Sequence, residues 1–225
     1  MDGSLRGSVS KAAMAKAKTA RDRSLYGVHP GVEMVQRWVA ELKAKTGRTL
    51  EEWIALVKKE GPKDEKARSE WLKTKHKFGT NGALWIAERA GGKGGEEDTL
   101  EAYLKTAVVY VEEQYAGAKE TLRPIYDELL KLGKSLGDDV KACPCKTIVP
   151  LYRKHVFAQI KPTTNTRIDL GFALTHYKGK LPKRLIDTGG LAKKDRITHR
   201  IPITSAKEID AEVKKWLMTA YELDT

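Results

Sequence analysis

KTIVPLYRKHVFAQIKPTTNTRIDLGFAL, residues 146–174, is where the hydrophobic period changes to two. Thr147–Arg153 and Val156–Lys161 read as strands joined at the turn Arg153-Lys154-His155, a β-hairpin. Thr163-Thr164-Asn165 makes the next turn. Beyond it Ile168, Leu170, Phe172 and Leu174 alternate with Arg167, Asp169 and Gly171, so this strand has one buried and one wet face. Residues 175–196 are loop-like and basic. Ile197, His199, Ile201 and Ile203 then alternate with Thr198, Arg200 and Pro202 in a last strand, which Pro202 places at a sheet edge. His199 falls on its apolar side and reads as a hydrogen-bonded core histidine. Ser205-Ala-Lys-Glu208 has the form of a capping box. Ile209, Val213, Trp216, Leu217 and Ala220 form the inner face of a closing helix.

Upstream of residue 140 the period is helical. Val35, Trp38, Val39 and Leu42 fall at i, i+3, i+4 and i+7 on one helix face, and Thr46-Gly47 ends that helix. Thr49-Leu-Glu-Glu52 is a second capping box; Leu50, Trp53, Ile54 and Val57 follow it as an apolar stripe. Asp64 caps a third helix carrying Trp71 and Leu72. Phe78-Gly-Thr-Asn-Gly82 is a turn into a fourth helix, with Ala83, Leu84, Ile86 and Ala87. Leu100, Tyr103, Leu104, Ala107, Val108 and Val111 mark a long helix that Tyr115-Ala-Gly117 interrupts. Leu122, Ile125, Leu129, Leu132 and Leu136 mark the next one, with Pro124 tolerable only in its first turn.

The order is helices, several strands, then a helix. This gives an α+β protein: a small all-helical N-terminal domain followed by an antiparallel sheet with helices packed on one face. The expected boundaries are a disordered basic arm over 1–30, a helical domain over 31–90 and a Gly-rich linker over 91–97. An α+β domain follows over 98–225, with helices in 98–136, strands in 146–203 and the closing helix over 206–222. The arm is Ser-, Ala-, Lys- and Arg-rich and cannot bury much surface. Gly91-Gly-Lys-Gly-Gly95 has linker composition; it lacks the spacing of a phosphate loop.

The motifs TGRTLEEW, KKEGPKDE and EWLKTKHKFGTNGA resemble a bacterial helical family of unknown function, numbered 4287. YAGAKETLRPIYDELL, KTIVPLYRKHVFAQIKP, TRIDLGFAL and THRIPITSAKEIDAEVKKWLMTAY resemble a second uncharacterised family, numbered 5655. The resemblances span nearly everything after residue 27. They imply the two-domain cut and a bacterial cytoplasmic setting, and no activity.

Charge narrows the function classes. The formal net charge is +12, and it is unevenly spread: +4 over 1–30, zero over 31–120, and +11 over 140–200, where 14 Lys and Arg face three acids. Such a field attracts polyanions. No run approaches the length of apolar chain that a membrane helix needs, so the chain is expected in the cytoplasm with no membrane partner. Cys143 and Cys145 are too close for an ordinary structural disulfide and too few for a zinc site, so they read as reduced thiols. His29, His76, His155, His176 and His199 are scattered, and Asp169, Asp187 and Asp195 form no nuclease pattern. No catalytic residue, metal or cofactor is assigned.

Two basic constellations remain. Arg153, Arg167 and Arg200 are expected to project from the wet sheet face, flanked by Lys146, Lys154 and Lys161, an arrangement suited to backbone phosphates. Lys73, Lys75 and Lys77 precede the turn that opens the fourth helix, where free backbone N–H groups favour an anion. The leading reading is a non-enzymatic module that binds nucleic acid, or another polyanion, with little sequence preference. A second reading is a protein-interaction or assembly module using helix 98–115 and the last strand. A third is a small-ligand or enzymatic pocket between sheet and helices.

Overall fold

The computed structural model describes residues 25–96 and 98–225; of the arm expected over 1–30, residues 1–24 lie outside the described residues. The chain divides into two compact units, one over His29–Tyr103 and one comprising 104–225 together with the described residues 25–28.

The helical unit contains α1 (Pro30–Thr46), α2 (Leu50–Glu60), α3 (Glu65–His76) and α4 (Thr80–Ala90). Local chemistry sets its helix ends. Thr49 accepts from the backbone of Glu52, and Glu52 reaches back to the Thr49 N–H at 2.7 Å, completing the capping box. Asp64 accepts from the Ala67 N–H. Gly47 closes α1 at φ 80°, which a side chain would resist. Leu42, Leu50, Trp53, Val57, Leu72, Ala83, Ile86 and Ala87 form one core. Trp38 and Trp71 pack against that core rather than inside it.

This unit continues past residue 90. Lys93, in the glycine-rich stretch, pairs with Glu65 on α3 at 2.9 Å, and Arg89 at the end of α4 pairs with Asp98. The glycines here serve as a turn with positive φ at Gly92, Gly94 and Gly95. The boundary falls within α5 (Leu100–Gln114).

In the second unit a 3₁₀ turn over Gly117–Leu122 joins α5 to α6 (Arg123–Lys134). Gly117 turns the chain at φ 59°, and Pro124 lies in the first turn of α6. Six strands follow: β1 (Lys141–Ala142), β2 (Val149–Tyr152), β3 (Val156–Thr164), β4 (Arg167–Phe172), β5 (Ile186–Asp187) and β6 (His199–Ile203). The sheet is antiparallel in the order β1-β2-β3-β4-β6-β5. The closing helix α7 (Ala211–Leu223) returns to pack on β3 and β4.

Period two sorts the sheet into two faces. Val149, Leu151, Ala158, Ile160, Ile168, Leu170, Phe172, Ile201 and Ile203 are fully buried and paired across the strands. Val213, Trp216, Leu217 and Ala220 of α7, with Ile125, Leu129 and Leu130 of α6, supply the buried helical side. Residues 25–28 also belong here: the Tyr26 hydroxyl bonds the buried Tyr126 hydroxyl at 3.1 Å, and the Gly27 N–H donates to Ala142.

Three sequence expectations are corrected. The first strand begins at Lys141, before residue 146, because Lys141 and Ala142 pair with Tyr152 and Leu151. The last strand is not at the edge. β5 covers only His199 and Arg200, which leaves Pro202 on a stretch of β6 paired on one side only. The closing helix starts at Ala211, not 206: Ser205 caps a short 3₁₀ turn over Ala206–Glu208, and Asp210 is the N-cap, accepting from the Val213 N–H at 3.0 Å.

Candidate functional site

The wet face of the sheet exists, and it carries its own counter-charge. Asp169 on β4 lies between Arg167 and Arg200 and is 8% exposed. Arg200 Nη1 donates to its Oδ1 at 2.8 Å, and the Thr163 hydroxyl donates to its Oδ2 at 2.8 Å. Arg167 Nε lies 3.0 Å from Oδ1, close enough for an ion pair but not aligned to donate. Arg153 is elsewhere, in the turn after β2. It bonds Asp139 at 2.8 Å and the Tyr221 carbonyl at 3.3 Å, with its guanidinium over the Tyr221 ring at 4.4 Å. Hydrogen bonds from Arg153 and Tyr221 hold the Asp139 carboxyl below its usual pKa. The expected plane of three bare arginines is therefore corrected: two share one carboxylate, and the third is bound to a separate one.

The pattern is general in this unit. Arg184 pairs with Asp210 and Glu212, Arg196 with Asp224, and Arg123 with Glu112 and Asp127. For Arg123, burial works against the charge, but the bonds to Glu112 and Asp127 outweigh it and raise the pKa. The planar fork of guanidinium suits carboxylates and is spent on holding the fold. By contrast, no lysine of this unit has a described carboxylate within 4.0 Å.

Two of the expected lysines, Lys146 and Lys161, come together. With Lys119 they border a recess of about 630 Å³ whose other walls include Gln114, Thr147, Pro162, Thr163 and Asn165. Lys146, from the loop before β2, and Lys161, on β3, are exposed. Lys119, in the 3₁₀ turn, spends one proton on the Pro162 carbonyl at 2.7 Å and keeps two. Glu113 is the acidic residue on the same rim. Lys154 is also exposed, but at the hairpin tip next to Arg153 and away from this recess. The helical-unit set has other duties. Lys73 pairs with Glu70 at 2.9 Å, Lys75 sits 5.1 Å over the Trp71 ring, and Lys77 closes α3 in the left-handed conformation.

A larger cavity of about 1060 Å³ lies beside α6, lined by Tyr26, Tyr115, Leu130 and the charged residues Glu112, Glu120, Arg123, Asp127, Lys131 and Lys134. Its charges balance, three acids against three bases, so it offers no field for a polyanion. Cys143 and Cys145 are free thiols, and burial pushes the Cys143 pKa up to about 12. Among the described residues no group of three or more His, Cys, Asp and Glu is placed to hold a metal ion. No described helix is long and apolar enough to cross a membrane.

Sequence reading missed Lys119 and Gln114, which stand 42 and 47 residues before Lys161 in the chain and are brought to it only by folding. It also missed the pairing of His155 with Asp224 at 3.0 Å. One signal was available: Arg167 and Asp169 stand two apart on a strand and so share a face.

The family described as a domain of unknown function, DUF5655, matches residues 111–224, and a second, DUF4287, matches residues 35–90. The first match covers just over half of the chain, and the chain belongs to that family. No curated protein and no solved structure matches it.

Proposed function

We propose that this member of the DUF5655 family is a binding module for the phosphate backbone of nucleic acid, with Lys119, Lys146 and Lys161 as its contacts. The observation that carries this reading is that these three lysines line one recess, with no described carboxylate within 4.0 Å of the ammonium group of any of them. An ammonium is a compact point charge that grips phosphate without demanding a fixed geometry. Contacts of this kind fix register and carry no base information. Arg167 and Arg200, each half-neutralised by Asp169, add to the positive field of the neighbouring sheet face without acting as direct contacts.

Affinity in this reading comes mainly from counterion release. Three neutralised phosphates give a slope of log K against log salt of about −2 for a single strand. Binding is then micromolar or weaker at moderate salt. An electrophoretic shift with a mixed-sequence single-stranded oligonucleotide, run at two salt concentrations, tests it. A shift at low salt that disappears at high salt is expected; no shift at low salt overturns the reading.

A further inference from the structure

The three lysines come to the recess from three separate segments: Lys119 from the 3₁₀ turn after α5, Lys146 from the loop before β2, and Lys161 from β3. The Lys119 ammonium is fixed on the carbonyl of Pro162, the residue that follows Lys161. The lysines thus border one recess instead of forming a row along one element. A continuous strand is a line of singly charged phosphates, and a groove of cations that tracks the line suits it best. Among the described lining residues the acid is Glu113, so three lysines against one glutamate leave the recess a net charge of +2.

Phosphate chemistry separates two ligands here. An internal diester carries one charge on two free oxygens. A terminal monoester carries a charge of about −1.5 to −2 near neutral pH and offers three strong acceptor oxygens. Its charge offsets that of the recess, and its oxygens give each of the three ammonium groups an acceptor. We infer that the recess takes the end of a strand, a terminal phosphate monoester, in preference to an internal diester. This inference rests on the phosphate-binding reading and adds which phosphate is bound. With the first diester behind it, such an end presents about three charges, so the salt dependence is the same.

Fluorescence anisotropy on the full chain at low salt, with internally labelled single-stranded DNA of one sequence, tests it. Strands carrying a 5′-phosphate, a 3′-phosphate or neither are compared. A phosphate at the end that the recess accepts is expected to tighten binding roughly three- to tenfold, and the two arms name that end. An unphosphorylated strand two nucleotides longer gains as much charge, but as diesters, and is expected to bind like the shorter one. Lys146→Gln halves the net charge of the recess and is expected to shrink the preference. Equal affinity with and without a terminal phosphate, or an equal gain from the longer strand, overturns the inference and leaves the backbone reading standing. A preference of full size in Lys146→Gln overturns the recess as its source. Absence of binding to every strand overturns the phosphate reading beneath it.

Discussion

Asp169 decides how much of the sheet's charge is available. It accepts from Arg200 and Thr163, pairs with Arg167, and is directly opposite Lys161 across the β3–β4 ladder. Asp169→Asn keeps the shape but removes the charge that holds both guanidinium groups. Weakening those bonds is expected to cost about 1–3 kcal/mol of stability, measured by urea unfolding. At the same time it frees positive charge beside the recess, so oligonucleotide affinity at low salt is expected to rise. His76 gives a second prediction. Its ring packs edge-on to Trp53 and Trp71, and its Nε2 is buried without a partner. Burial lowers its pKa, and Lys75 and Arg48 nearby lower it further. A base whose folded pKa is depressed takes its proton first in the unfolded chain. Stability is therefore whole above the ordinary value of about 6.5 and falls as pH drops below it. Unfolding followed by tryptophan fluorescence at pH 7.5 and 5.5 should show this loss, and His76→Phe should flatten it. The Asp169 clamp was legible in outline from the alternation of Arg167 and Asp169. The enclosure of the His76 Nε2 was not, because Trp53, Trp71 and His76 meet only once α2 and α3 have packed.

At the scale of elements, local chemistry was the legible part. Period two located β2, β3, β4 and β6, and the capping box at Thr49 placed the start of α2. The start of α7 was misread because two N-terminal signals, Ser205 and Asp210, stand five residues apart, and only the second opens an α-helix. The strands β1 and β5 were missed because two residues carry no period. Their existence depends on partners already in place, Leu151 and Tyr152 for β1 and His199 and Arg200 for β5. Packing of α6 on the sheet depends on Gly133. A Cβ there would lie 2.5 Å from Leu151 Cδ1, whose side chain is fully buried. Alanine is the better helix former by about 1 kcal/mol, yet Gly133→Ala is expected to destabilise by roughly 1–3 kcal/mol through overpacking. Thermal unfolding of the variant checks the sign.

At the scale of the whole molecule, arginine and lysine divide sharply in one unit only: lysines of the helical unit pair with carboxylates, those described in the sheet-bearing unit do not. In the sheet-bearing unit every arginine is paired with a carboxylate and holds strands, turns and helix ends together. The lysines are left outside these pairs, and three of them surround one recess. Sequence composition showed the excess charge over 140–200 but not this division, because ion pairs such as Arg153 with Asp139 and Arg196 with Asp224 join residues 14 and 28 apart. The central claim is that the recess lysines, not the arginines, bind phosphate. The most direct test is a salt titration of oligonucleotide binding by the wild type and by a variant with Lys119, Lys146 and Lys161 all changed to Gln. The account predicts a wild-type slope of about −2 that approaches zero in the variant, with its fold intact by circular dichroism. An unchanged slope in the variant would contradict it.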